Sequence, residues 1–146
     1  MLAFARVPGS LPDGPDPWGA MGGRAELLGM IGEIDPPRLD AADAVRDCRA
    51  AGIRPVMVTG DHRLTGVAIA RTLDIAREGD LELDGQELAR LSREDLQRKV
   101  GRVAVFARVH PEQKLRIVEA LQANGEVVAM TGDGVNDAPA LARSEV

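Results

Sequence analysis

The 146-residue chain is poor in aromatic residues. Phe4, Trp18 and Phe106 are the whole set, and tyrosine is absent. A core must therefore be built from Ala, Val, Leu, Ile and Met. Cysteine occurs once, at Cys48, which excludes an internal disulfide and a thiolate zinc site. No apolar stretch approaches the ~20 residues needed to cross a bilayer; pieces such as Leu27–Gly32 are the longest. A basic segment followed by an apolar one is missing at the N-terminus, so no secretory signal is expected and the cytosol is the default compartment. Positive charge is in deficit, with 18 Lys and Arg against 23 Asp and Glu and a formal net charge of −5. That sign argues against a nonspecific binder of nucleic acid or anionic membrane. Lysine itself is scarce: Lys99 and Lys114 are the only two.

What is present fits one domain. Hydrophobic residues make up 45% of the chain, enough to exclude wholesale disorder. Residues 7–24 are broken by prolines and glycines and read as a loop. From Glu26 onward strand and helix patterns alternate. The apolar runs Leu27–Ile34, Ile53–Val58, Val103–Ala107 and Val127–Met130 read as strands, the last three without the polar alternation of a half-exposed sheet. Leu39–Ala51, His62–Leu73 and a segment opened by Pro111 and closed at Asn124-Gly125 have helical spacing. Leu81–Leu83 followed by Asp84-Gly85 suggests a strand end and a turn. Ser92 with Asp95 opens a short helix. Such alternation implies a parallel sheet flanked by helices, with right-handed crossovers.

A short repeat carries the chemistry. Val56-Met57-Val58-Thr59-Gly60-Asp61 is echoed by Val128-Ala129-Met130-Thr131-Gly132-Asp133. Each is an apolar strand ending in Thr-Gly-Asp. In open α/β sheets ligands sit beyond the carboxyl ends of the strands, so both triplets face one edge. Threonine offers a hydroxyl donor, glycine lets the backbone approach a ligand, and free amides at a helix start suit phosphate. Ordinary turn chemistry is the competing reading for either copy alone. The second copy continues to Asn136 and Asp137, and three oxygen-bearing side chains on one glycine-rich loop suit Mg²⁺ bound together with a phosphate. Asn136 or Asp137 could instead cap the last helix. Lys114, early on a helix that follows a strand, can present a point charge to the same edge, as can Arg108. A solvated role is the alternative for both. Arg63, Arg71, Arg77, Arg90, Arg93, Arg98 and Arg116 read as solvated faces.

Thr131–Leu141 reads TGDGVNDAPAL. Together with Asp35-Pro36-Pro37-Arg38, Val58–Asp61 and Phe106–Pro111 with Lys114, in that order, it resembles the phosphorylation domain of P-type cation-transporting ATPases, closest to the calcium-pump branch. The resemblance covers residues 26–146. It implies a haloacid-dehalogenase-like Rossmannoid α/β fold, incomplete here, and a role as the cytosolic catalytic segment of an ATP-driven cation pump. It implies that residues 1–25 are a loop-rich tail of the nucleotide-binding domain or linker. By position, Thr59, Gly60 and Asp61 would contact phosphate and nucleotide, and Arg108 would lie on the nucleotide side. Lys114 would neutralise phosphate charge beside the nucleophile. Asp133 would ligate Mg²⁺, with Asn136 and Asp137 completing the surroundings. ATP would be the parent enzyme's substrate. The implied partners are the pump's nucleotide-binding, actuator and membrane domains, in a cell-membrane protein.

The family's nucleophile lies in an Asp-Lys-Thr-Gly-Thr motif, and that motif occurs nowhere in the sequence. The chain therefore reads as a piece of a pump that forms no phosphoenzyme by itself. Two alternatives remain at this stage. One is a stand-alone phosphatase of the dehalogenase type, for which Asp35 is the nearest nucleophile. The other is an assembly module that pairs through an unfinished sheet edge.

Overall fold

A computed structural model describes residues 1–10, 14–17, 19, 22–33, 36–132 and 137–146. The chain divides into two compact units, Met1–Pro36 and Pro37–Val146.

The first unit is a two-stranded antiparallel sheet of β1 (Leu2–Arg6) and β2 (Glu26–Ile31). The expected strand at 27–34 therefore exists over most of its length, but it is not part of the parallel sheet. It pairs instead with β1, antiparallel. Ile34 and Asp35, the end of that expected strand and the nearest phosphatase nucleophile, lie outside the described residues.

The second unit is α/β. Its elements run α1 (Ala41–Ala50), β3 (Met57–Val58), α2 (Arg63–Thr72), β4 (Leu81–Asp84), α3 (Gly85–Arg90), α4 (Arg93–Val100), β5 (Val103–Ala107), α5 (Pro111–Ala123) and α6 (Ala138–Arg143). The strands form one parallel sheet in the order β3-β5-β4. The central strand β5 is buried at all five residues, as its unbroken apolar sequence requires. A register shift opposite Leu81 and Glu82 sets Val103 against Leu81 and Val105 against Glu82. The extra residue changes the alternation of side chains. Val103 and Phe106 join a cluster with Leu88, Leu96, Val100, Ile117, Val118, Leu121 and Ala140, from α3, α4, α5 and α6. Ala104 and Val105 join Val45, Val67 and Ala70 from α1 and α2. Helices thus cover both faces, the layout of an incomplete Rossmannoid α/β unit.

Two expected strands are shortened or absent. Only Met57–Val58 of the run Ile53–Val58 joins the sheet. Pro55 has no N–H to extend the ladder, and the Arg54 guanidinium donates to the Val103 carbonyl at 3.1 Å, taking an acceptor on the neighbouring strand. Val127–Met130 is not a strand. Val128 is buried, but Val127 is 78% exposed. The segment's backbone bonds run irregularly to Glu145 and Val146, and no ladder partner lies beside it among the described residues. The expected turn at Asp84-Gly85 is the start of α3: the Asp84 carboxylate caps it by accepting from the Gln86 and Glu87 amides, both at 2.9 Å. Ser92 caps α4 through the Asp95 amide, as its spacing predicts.

Phe106 is fully buried at the centre of the larger cluster. Phe106→Ala should cost about 3–5 kcal/mol of unfolding free energy, measured by urea denaturation; a loss below about 1 kcal/mol would contradict this placement of the core.

Candidate functional site at the carboxyl edge of the sheet

All three parallel strands end on the same edge, so the loops after β3, β4 and β5 meet there. Backbone hydrogen bonds join the first and last of these loops. The Thr59 amide donates to the Phe106 carbonyl at 2.9 Å, the Arg108 amide to the Asp61 carbonyl at 3.0 Å, and the Val109 amide to the Thr59 carbonyl at 3.1 Å. The Asp61 amide turns back onto Thr59 Oγ1 at 3.1 Å. Because that oxygen is used as an acceptor, the hydroxyl proton stays available to a ligand. A side chain at Gly60 would meet open space.

Arg108 occupies the left-handed region, with φ of 50°, uncommon for a residue with a side chain. The β4 loop abuts it. A Cβ on Gly85 would lie 2.2 Å from the Arg108 carbonyl oxygen, so only glycine fits there. Asp84, at the tip of β4, is held below the usual carboxylate range. The Glu87 amide is the main cause, followed by the Gln86 amide and the nearby Arg63 and Arg108 guanidiniums, against an opposing contribution from burial. Arg63 is therefore no simple solvated residue. It donates to Glu87 at 3.0 Å and to the Glu82 carbonyl at 3.0 Å, tying α2 to β4. Arg116 donates to the carbonyls of Leu88 and Leu91 at the end of α3, which also removes it from the solvated set.

Lys114 follows on the first turn of α5. Its ammonium pairs with the carboxylate of Asp137, and the two side chains are only 15% and 10% exposed. Asp137 sits at the cap position of α6 but makes no side-chain cap bond; its carboxylate goes to Lys114. The second Thr-Gly-Asp segment reaches this point through Gly132, where a Cβ would lie 2.6 Å from an Asp137 carboxylate oxygen. Asp133 and Asn136 lie outside the described residues. The structure thus bonds the Thr59–Asp61 loop to Arg108 and Val109, and separately pairs Lys114, early on the following helix, with Asp137. Sequence reasoning missed Asp84, Gly85 and Arg63. The pattern Asp84-x-x-Glu87 was a readable capping signature; Gly85's contact had no local signal.

As to a metal, the acids on the last loop, Asp133 and Asp137, are oxygen donors of the kind Mg²⁺ prefers. Among the described residues no group of three or more His, Cys, Asp or Glu side chains is gathered for one.

Removing Lys114 alone would strand the Asp137 carboxylate in a largely dehydrated place. Lys114→Ala should cost about 3–5 kcal/mol, and Lys114→Met with Asp137→Leu should recover most of it. Equal losses in single and double variants would contradict the pairing. Asp84→Ala should cost about 1 kcal/mol at neutral pH. Since the folded-state pKa of Asp84 is depressed, its contribution is present above the unfolded value and fades as pH falls through the folded one. The gap between wild type and variant should therefore narrow below about pH 4, as read by denaturation at pH 7 and pH 3.

The sequence model of the haloacid dehalogenase-like hydrolase family matches residues 5–144. The chain is 52% identical over 120 residues to a calcium-transporting ATPase of Bacillus subtilis (strain 168), covering 82% of this chain and 14% of that protein. It is 52% identical over 121 residues to the cation-transporting ATPase pma1 of Synechocystis sp., covering 82% and 13%. A probable cation-transporting ATPase F of Mycobacterium tuberculosis is 50% identical over 128 residues, covering 85% and 14%. The chain thus spans about 14% of the length of such curated relatives. It belongs to the haloacid dehalogenase-like hydrolase family, and within it resembles the cation-transporting ATPases of the P-type.

Proposed function

We propose that this chain is the phosphorylation-domain segment of an ATP-driven cation pump, and that its sheet edge holds the phosphate being transferred. The observation that carries the reading is the bonding of Thr59–Asp61 to Arg108–Val109, together with the Lys114–Asp137 pair on the following helix. A hydroxyl proton at Thr59 and a nearly buried ammonium at Lys114, with an exposed guanidinium at Arg108, supply donors suited to phosphoryl oxygens. The similar calcium- and cation-transporting ATPases support the pump reading.

In this reading Thr59 donates its hydroxyl proton to a phosphate oxygen and Lys114 neutralises charge on the transferring group. Arg108 lies toward the nucleotide, with Gly60 leaving room and Asp61 beside it. Asp133 would hold Mg²⁺, with Asn136 and Asp137 completing the surroundings, and the ion would supply further charge neutralisation to the phosphate. ATP is the parent's substrate. The nucleophilic aspartate comes from outside residues 1–146, together with the nucleotide-binding, actuator and membrane domains. Residues 1–25 belong to the return from the nucleotide-binding domain and 26–146 to the phosphorylation domain, on the cytosolic side of a membrane pump. No helix among the described residues is long and apolar enough to cross a membrane, which is compatible with that assignment.

The open edge of β3 and the unladdered Val127–Met130 segment favour a second, non-catalytic reading, in which another polypeptide completes the sheet. It predicts concentration-dependent association of the chain in sedimentation, and a clean monomer at high concentration would count against it.

The catalytic reading is tested by label transfer. With γ-labelled ATP and Mg²⁺ the chain alone should take up no stable, hydroxylamine-sensitive label. Grafted in place of the matching 120 residues of the Bacillus subtilis ATPase, it should restore labelling. Lys114→Ala in that graft should lower the rate at least about a hundredfold, the loss expected when a preorganised charge is removed. Labelling of the isolated chain, or an unlabelled graft that folds, would overturn the proposal.

A further inference from the structure

The Gln113 side chain hydrogen-bonds to both the β5–α5 loop and the start of α3. Its Oε1 accepts from the His110 amide at 3.0 Å, and its Nε2 donates to the Gly85 carbonyl at 2.7 Å. The first bond is ordinary helix capping. The second is not, because it reaches across 28 residues to a different element. Three further features converge on the same spot. Gly85 has no room for a Cβ against the Arg108 carbonyl. Arg108 holds a left-handed backbone, a conformation that persists only where its surroundings impose it. The Lys114 amide donates to the His110 carbonyl at 3.1 Å, so the residue that Gln113 fixes also starts the turn bearing the ammonium.

We propose that Gln113 is a positioning residue: its carboxamide locks the α3 start against the Arg108 loop, and so sets where Arg108 and Lys114 present their charges to a phosphate group. This rests on the phosphate-site reading given above. The lock acts from one side, through Gly85, and the Asp61 and Thr59 carbonyls hold the same loop from the other. An amide suits the position because it carries a donor and an acceptor on one rigid plane. Glutamate would keep an oxygen for the His110 amide but place a second oxygen against the Gly85 carbonyl. Gln113→Glu therefore separates the two roles. A residue that only caps α5 would tolerate the change, since acidic groups suit a helix start. A residue that locks two elements would not.

The test uses the full chain labelled with ¹⁵N, with inorganic phosphate as the probe. Without phosphate, Gln113→Glu should shift the backbone amide signals of Gly85, Arg108 and Asp61 and the Nζ signal of Lys114. With phosphate, the wild-type Arg108 and Lys114 signals should titrate, and the variant's affinity should be about tenfold weaker, the order of one lost hydrogen bond to a charged site. Gln113→Met, of similar volume and with neither donor nor amide oxygen, is the second variant if the glutamate form does not fold, and the same losses are expected. If the wild type titrates and the variants bind phosphate with unchanged affinity, the lock is overturned while the phosphate site stands. If the wild-type signals ignore phosphate, the site reading fails and the proposal falls with it. Unmoved Arg108, Asp61 and Lys114 signals in the phosphate-free variant also overturn it.

Discussion

The arrangement depends on one ion pair held nearly out of water. Lys114 and Asp137 lie on different elements, and each is expensive to bury alone. Together they attach the loop before α6 to the first turn of α5. That turn follows directly on the Arg108 loop, whose amides hold the Thr59–Asp61 loop in place. The functional edge is therefore a chain of short tethers, each between neighbouring loops. A buried pair is weak evidence for stability, since two apolar residues of similar size can do as well. In the proposed function, what an apolar pair cannot do is leave an ammonium beside an incoming phosphate. The cost of burying the pair makes sense as the means of keeping a cation at a fixed place.

The sheet explains why these tethers are possible. Parallel strands bring every carboxyl end to the same side, and a fully buried β5 makes the central strand the reference for both neighbours. Short-range chemistry then sets the loops. Asp84 caps α3, and Gly85 allows α3 to begin hard against Arg108. A Cβ at Gly85 or at Gly132 would push directly on a group that the edge uses, the Arg108 carbonyl in one case and the Asp137 carboxylate in the other.

Much of this was legible in the sequence, for identifiable reasons. The first Thr-Gly-Asp, after the apolar run ending at Val58, was legible as a strand end and Pro111 as a helix start, because both obey local rules. The interior of β5 was legible from its unbroken apolar run. Less legible was whatever depended on a partner far along the chain. Ile53–Val58 and Val127–Met130 look alike as strings, yet one contributes two sheet residues and the other none. Pro55 and the Arg54–Val103 bond decide the first, and the second has no neighbouring ladder among the described residues. Leu27–Ile31 had strand composition, but it pairs antiparallel with β1 rather than in the parallel sheet. Arg63 and Arg116 read as solvated in the sequence because nothing local reveals that their guanidiniums reach carbonyls on other elements. Asp133 and Asn136 lie outside the described residues, so the expectation that they complete the edge rests on their place in the Thr131–Leu141 motif.

The central claim, that both Thr-Gly-Asp segments and Lys114 surround one phosphate and one hard cation, is tested most directly by paramagnetic broadening. Mn²⁺ would replace Mg²⁺ on the ¹⁵N-labelled chain in the presence of inorganic phosphate. The account predicts that the amides of Gly60, Asp61, Arg108, Lys114, Gly132 and Asp137 broaden together and at the lowest Mn²⁺ concentrations. Broadening centred on surface acids such as Asp40 and Asp43, with Gly60 and Asp61 unaffected, would contradict it.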